Sequence, residues 1–150
     1  MNFSIMHRGK TWLAAICCTL LLTTGCATIS TFDQHAYIST TGIKVDALNM
    51  MQLATEDYAS HRQEVKAVNT AIEKTYEYER NRPKNEITLS LWNKLRDTSG
   101  HLWGGFVKRW QTEGRLRQGF IEEAQLQVGD AFDIIAQLES KKIKPKQVQK

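Results

Sequence analysis

Asp57, His61 and Glu64 fall at steps of four and three, which would set two carboxylates and an imidazole on one side of a helix. That arrangement can hold a divalent metal or orient a general base. A di-iron centre in a helical bundle takes a glutamate followed three residues later by a histidine, from each of two helices, with carboxylates from two more. Here the order is reversed and no other helix supplies a histidine pair. The three residues therefore read as charged neighbours on a helix surface, and no metal is expected. Glycan cleavage would need two carboxylates, for which Glu122-Glu123 with Glu86 or Asp97 are the candidates. Two glutamates opening a helix are better explained by its dipole. No Gly-x-Ser-x-Gly is present to build a strained nucleophile elbow. No catalytic residue is expected.

The segment His101-Leu102-Trp103-Gly104-Gly105-Phe106-Val107-Lys108-Arg109-Trp110 gathers three aromatics and two cations around adjacent glycines. Glycines at a helix start are unfavourable unless the backbone needs unusual dihedrals or a close approach. One reading makes Trp103, Lys108, Arg109 and Trp110 a docking surface for a partner or ligand, since tryptophan and arginine dominate interfaces. The other puts Trp103, Phe106 and Trp110 in the core, with Gly104-Gly105 as a turn, and this is the reading preferred.

The elements that position these residues follow an N-terminal leader. Met1 to Lys10 is basic, no acid precedes Asp33, and the chain is apolar from Trp12 to Leu22. Such a stretch reads as an export signal. Its 11 residues, ten of them apolar, fall short of the ~20 needed to span hydrocarbon. It ends in Leu22-Thr23-Thr24-Gly25-Cys26, which resembles the lipobox of bacterial lipoproteins. The resemblance covers the first 26 residues. It implies cleavage after Gly25, a diacylglycerol on the Cys26 thiol and an acyl chain on the new amino terminus, with no other cofactor. Cys17 and Cys18 lack a small preceding residue and would leave with the signal. Ala27, where an aspartate in that family retains proteins in the inner membrane, implies the outer membrane.

Cleavage leaves Cys26 as the last of three cysteines, so the mature interior has no thiol to oxidise and is held by packing. It also removes Arg8 and Lys10, so 20 minus 2 gives 18 basic residues against 16 acidic ones, a net charge of +2. The mature 125 residues suffice for one domain with a core. Much of the basic excess is local: Lys141, Lys142, Lys144, Lys146 and Lys150 crowd the C-terminus around Pro145. They read as a frayed helix end and a disordered basic tail over 143–150, with contact to anionic lipid or cell wall through Lys141, Lys142, Lys144 and Lys146 as the sharper alternative. Nucleic acid is not an expected partner.

Ala36, Thr40, Ile43, Ala47, Met50 and Ala54 alternate steps of four and three, and Met51, Tyr58, Val65 and Ile72 then repeat every seven. The pattern predicts one helix over about 32–80, roughly 75 Å long, or a break at Ser39-Thr40-Thr41-Gly42, with Thr31 as its cap. Pro83 ends it. Short helices are predicted over about 86–98 and 103–113, and a last one over about 117–141, where Ile121, Ala124, Val128, Ala131, Ile135 and Leu138 keep helical spacing. The expected fold is all-α: two long antiparallel helices with two short ones filling one side, a single domain over 31–142 behind a 26–30 tether.

The mature part also resembles small uncharacterised envelope lipoproteins over Asn81-Arg82-Pro83-Lys84-Asn85-Glu86 and Trp103-Gly104-Gly105-Phe106, a resemblance that implies no activity. The expected function is that of a non-enzymatic, membrane-anchored envelope protein with a structural or protein-interaction role. A glycan- or amphiphile-binding module is the alternative, and a cell-wall hydrolase the third.

Overall fold

The computed structural model describes residues 30–148. Gly25, Cys26 and the rest of the leader, with Gln149 and Lys150, lie outside the described residues. Those described are helical, without strands: α1 (Gln34–Gln52), α2 (Arg62–Arg80), α3 (Glu86–Arg96), α4 (Trp103–Glu113), α5 (Gln118–Glu139) and a final turn α6 (Pro145–Val148). None of these helices is long and apolar enough to cross a membrane.

Asp33 starts α1, its Oδ1 accepting from the Ala36 amide at 2.9 Å. The cap is therefore Asp33 and not Thr31. The stripe Ala36, Thr40, Ile43, Ala47 and Met50 is buried as its spacing predicts. It runs straight through Ser39-Thr40-Thr41-Gly42. The Thr41 hydroxyl donates to Tyr37 O and Ile38 O within the helix, and burial of Thr40 and Ile43 outweighs the low helix propensity.

The expected long helix is nevertheless two. Between α1 and α2 lie 3₁₀ turns at Leu53–Thr55 and Tyr58–His61, separated by extended backbone at Glu56 and Asp57. The Asp57 side chain caps the second turn by accepting from Ala59 N at 2.8 Å. Carbonyls freed at the corner find distant donors: Leu116 N donates to Ala54 O at 2.7 Å, and Trp110 Nε1 to Glu56 O at 3.0 Å. Tyr58 N in turn donates to Gly114 O at 2.8 Å. A helix opens here because residues 110–116, distant along the chain, satisfy its backbone.

The corner sends α2 back along α1. α5 also packs on α1 and on α3, and α3 on α2, which closes a four-helix ring. Lys44 meets Asp133 at 2.6 Å while Gln125 Nε2 donates to Leu48 O at 2.8 Å, so α1 and α5 run antiparallel. α3 is thus a full member of the ring and not a filler. α4 lies across the end where the corner sits. The α1–α5 approach is close because Gly129 offers only its backbone, with Leu48 and Lys44 carbons 3.8 Å from where a Cβ would stand.

The core runs through all five helices, with Trp92, Trp103, Phe106, Trp110 and Phe132 fully buried or nearly so. Gly104-Gly105 is the first turn of α4 and not a loop. A Cβ on Gly104 would lie 2.7 Å from the Asp97 carbonyl carbon, and one on Gly105 2.7 Å from that of Gly100. The glycines serve close passage of α4 against the end of α3. At the C-terminus, Lys142 N bonds Gln137 O and Lys141 N bonds Leu138 O, with Lys141 at φ 58, a Schellman ending to α5. The tail beyond it, expected to lack regular structure, makes the helical turn Pro145–Val148.

Candidate functional site

At the end of the ring where α1 starts, α2 and α5 finish and α3 begins, the fold buries charge. Glu79 and Glu139 are almost wholly enclosed. Arg82 Nη1 donates to Glu79 Oε2 at 2.7 Å and to Glu139 Oε2 at 2.8 Å, while its Nη2 reaches Thr31 O at 2.7 Å. Asn85 Nδ2 donates to Glu79 O and to Glu79 Oε2. Asp33 completes the group: its Oδ2 accepts from the Tyr78 hydroxyl at 2.6 Å and lies 4.0 Å from Arg82 Nε.

One guanidinium faces two buried carboxylates, so it cannot neutralise both. Desolvation, and then the Glu79 charge, push the Glu139 carboxyl above its ordinary range despite the bond to Arg82. Burial pulls Arg82 down, but its bonds and attractions to Glu139 and Glu79 outweigh that and hold its pKa up. The Tyr78 and Ala36 donors keep Asp33 below its ordinary range. Glu79 Oε1, Glu139 Oε1 and Asn85 Oδ1 find no partner among the described residues. The cluster ties the entering chain at Thr31 to the α2–α3 turn and the end of α5.

These residues escaped the sequence reading, although a signal existed. Val65, Val68, Ile72 and Thr75 continue by four to Glu79, and Phe132 and Ile135 continue to Glu139, so both carboxylates occupy core positions of their helices.

At the opposite end the aromatic segment resolves into core. Trp103 and Trp110 are enclosed, their Nε1 groups donating to Asn69 Oδ1 at 2.7 Å and to Glu56 O. Tyr58 meets Trp110 edge-on at 5.5 Å and Phe106 stacks on Phe120 at 6.0 Å. A docking surface made of these indoles is therefore corrected: neither presents a face to solvent. Lys108 and Arg109 are exposed, and Arg109 pairs with Glu113 while covering the Phe120 ring at 4.2 Å. The cleft beside Trp103, bordered by Asn69, Glu73 and Arg96, holds roughly 200 Å³, below the ~300 Å³ at which small-molecule pockets begin.

The residues weighed for catalysis do not converge. Asp57 is a cap, and His61 Nε2 pairs with Glu56 Oε2 at 2.8 Å instead of joining Glu64, which is exposed on the first turn of α2. No group of three or more histidine, cysteine, aspartate or glutamate side chains is placed to hold a metal among the described residues. Glu86 and Asp97 border one open cleft along α3 but stand at its opposite ends. Asp97 accepts from the Ser99 amide and hydroxyl, which hold its carboxyl below the ordinary range. Glu122 and Glu123 are exposed on α5, and Gln118 donates to Glu122. Lys141, Lys142 and Lys144 are exposed beside the buried charge cluster.

Comparison with known proteins finds no matching family model, no matching curated protein and no matching solved structure.

Proposed function

We propose that this chain is a lipoprotein held to the cell-envelope membrane, on its Ala27 the outer membrane, by acyl chains on Cys26. Its helical bundle serves there as a structural or protein-interaction module and not as an enzyme. The observation that carries the reading is Leu22-Thr23-Thr24-Gly25-Cys26 directly behind a basic and apolar leader. Two structural observations support it. The folded part is under way by Ser30, four residues past Cys26, which suits a domain carried on an anchor. The buried ionisable groups are engaged with one another, Arg82 with Glu79 and Glu139, as structural ties.

Palmitate labelling of cells expressing the chain and its Cys26→Ser variant tests the anchor. The parent should be labelled, begin at Cys26 and sediment with membranes, and the variant should accumulate unlabelled and unprocessed. A native protein that begins at Met1 without fatty acid overturns the reading. Zymography on cell-wall substrate tests the rest, and a zone of clearing would replace the module with a hydrolase.

A further inference from the structure

We propose that the end of the bundle bearing Thr31 and Arg82 is a membrane-apposed face that takes the anionic phospholipid headgroups of the leaflet holding the anchor. The inference rests on acylation of Cys26 and adds to it an orientation and a lipid chemistry.

Reach comes first. Cys26 and Ser30 are separated by Ala27, Thr28 and Ile29, four steps of the chain that extend to at most ~14 Å. Ser30 is buried, and the Thr31 carbonyl is gripped by Arg82, itself locked to Glu79 and Glu139. Lengthening the tether means exposing Ser30 and breaking the bond from Arg82 to the Thr31 carbonyl. This end of the ring therefore stays near the headgroups, at a range comparable to the ~8 Å Debye length of physiological salt.

Charge comes second. Around the chain's entry stand Arg80 and Lys84, two residues to either side of Arg82, and Lys141, Lys142 and Lys144 just past Glu139, all exposed. Lys84 and Lys141 sit in left-handed turns, at φ 59 and φ 58, that break the helices here and project the chain at the end of the ring. Exposed acids at this end are Glu77, which pairs with Arg80, and Glu86. Asp33 is held by Tyr78, and Glu79 and Glu139 are enclosed. Five exposed cations against Glu77, Glu86 and the partly exposed Asp33 favour an anionic surface.

Apolar surface comes third. Phe32, the residue after Thr31, is 52% exposed, and Tyr78 is 38% exposed. Aromatic side chains of this kind settle at the headgroup level of a bilayer. The corner end mixes both signs, with Glu56, Asp57, Asp97 and Glu113 among Arg62, Lys108, Arg109, Arg115 and Arg117, and the large apolar side chain exposed there is the aliphatic Leu53.

The test uses the purified acylated chain, its intact mass read first, reconstituted in vesicles of phosphatidylcholine with or without phosphatidylglycerol. Lysine modification rates are then mapped by mass spectrometry. Lys84, Lys141, Lys142 and Lys144 should react several-fold more slowly when phosphatidylglycerol is present, and high salt should restore their rates, while Lys66 and Lys108 stay unchanged. A Lys84→Glu, Lys142→Glu double variant, with folding checked by helical circular dichroism, should lose the protection at Lys141 and Lys144. Equal rates at Lys84 and Lys108 on phosphatidylglycerol vesicles overturn the proposal while leaving the anchor standing. Protection seen in native envelopes but not on vesicles also overturns it, in favour of a protein partner. A mass without acyl chains removes the anchor and this orientation together.

Discussion

The two ends of the bundle solve the same problem with opposite chemistry. At each end helices must stop, and their free backbone groups must find partners. The Arg82 end does it with ions: one guanidinium joins α2, α5 and the entering chain. The corner end does it with an indole and two backbone bonds that link residues 54–58 to 110–116. The first arrangement specifies which groups must meet but carries a large desolvation penalty. The second excludes water with apolar surface and has no charge to compensate. Ions tie chain segments together at one end, and aromatics seal the core at the other.

The contrast is broken most forcefully at Arg82. Arg82→Ala leaves two carboxylates buried without their cation and should lower stability by about 3–5 kcal/mol, measured by urea unfolding. Replacing Glu79, Arg82 and Glu139 together by apolar residues of similar volume should return most of that loss, because a buried ionic cluster is often no better than good packing. At the other end, Gly104→Ala forces a Cβ against the Asp97 backbone and should lose about 2–3 kcal/mol. Trp110→Phe keeps most of the ring but strands the Glu56 carbonyl, with an expected loss of about 1–3 kcal/mol.

The pH response sharpens the comparison further, since it belongs to the ionic end. The folded chain holds the Glu139 proton where the unfolded chain has released it, so this group favours folding at low pH. Its contribution fades as pH rises from the ordinary 4.5 to the raised folded value. Asp33 acts in the opposite sense: its contribution is present above 3.8 and is lost as pH falls through its lowered folded value. Glu139→Gln should abolish the first trend and keep the second, as followed by thermal unfolding across the acid range. The smallest effect is expected at Thr40, whose enclosed hydroxyl has no partner among the described residues. Thr40→Val should be neutral or stabilising by up to ~1 kcal/mol.

Periodicity made the helical class legible, together with the bounds of α4 and close bounds for α3 and α5, because steps of three and four are imposed by burial on one face. The break between α1 and α2 was not legible. Met51, Tyr58, Val65 and Ile72 keep a seven-residue spacing across it, and no glycine or proline marks it. What opens the helix is supplied by Trp110, Gly114 and Leu116, far along the chain. Gly42 gave the louder local signal and changed nothing, since no side chain crowds it and its neighbours Thr40 and Ile43 are buried. The aromatic segment allowed both a core and a surface reading, which only burial separates. Glu79, Arg82 and Glu139 were passed over because charged residues read as solvated faces, although two of them stand in core register. The reading of Cys26 rests on the sequence alone, since it lies outside the described residues.

The bond from Leu116 to Ala54 spans 116 minus 54, or 62, positions, and this bears on how the molecule assembles. A hairpin whose apex depends on so remote a donor cannot finish its bend by itself while α1 and α2 are the only parts present. The apex is expected to set late, after α4 and the start of α5 have arrived. Amide exchange at Tyr58 and Leu116 should then report one shared opening event, distinct from fraying at the helix termini.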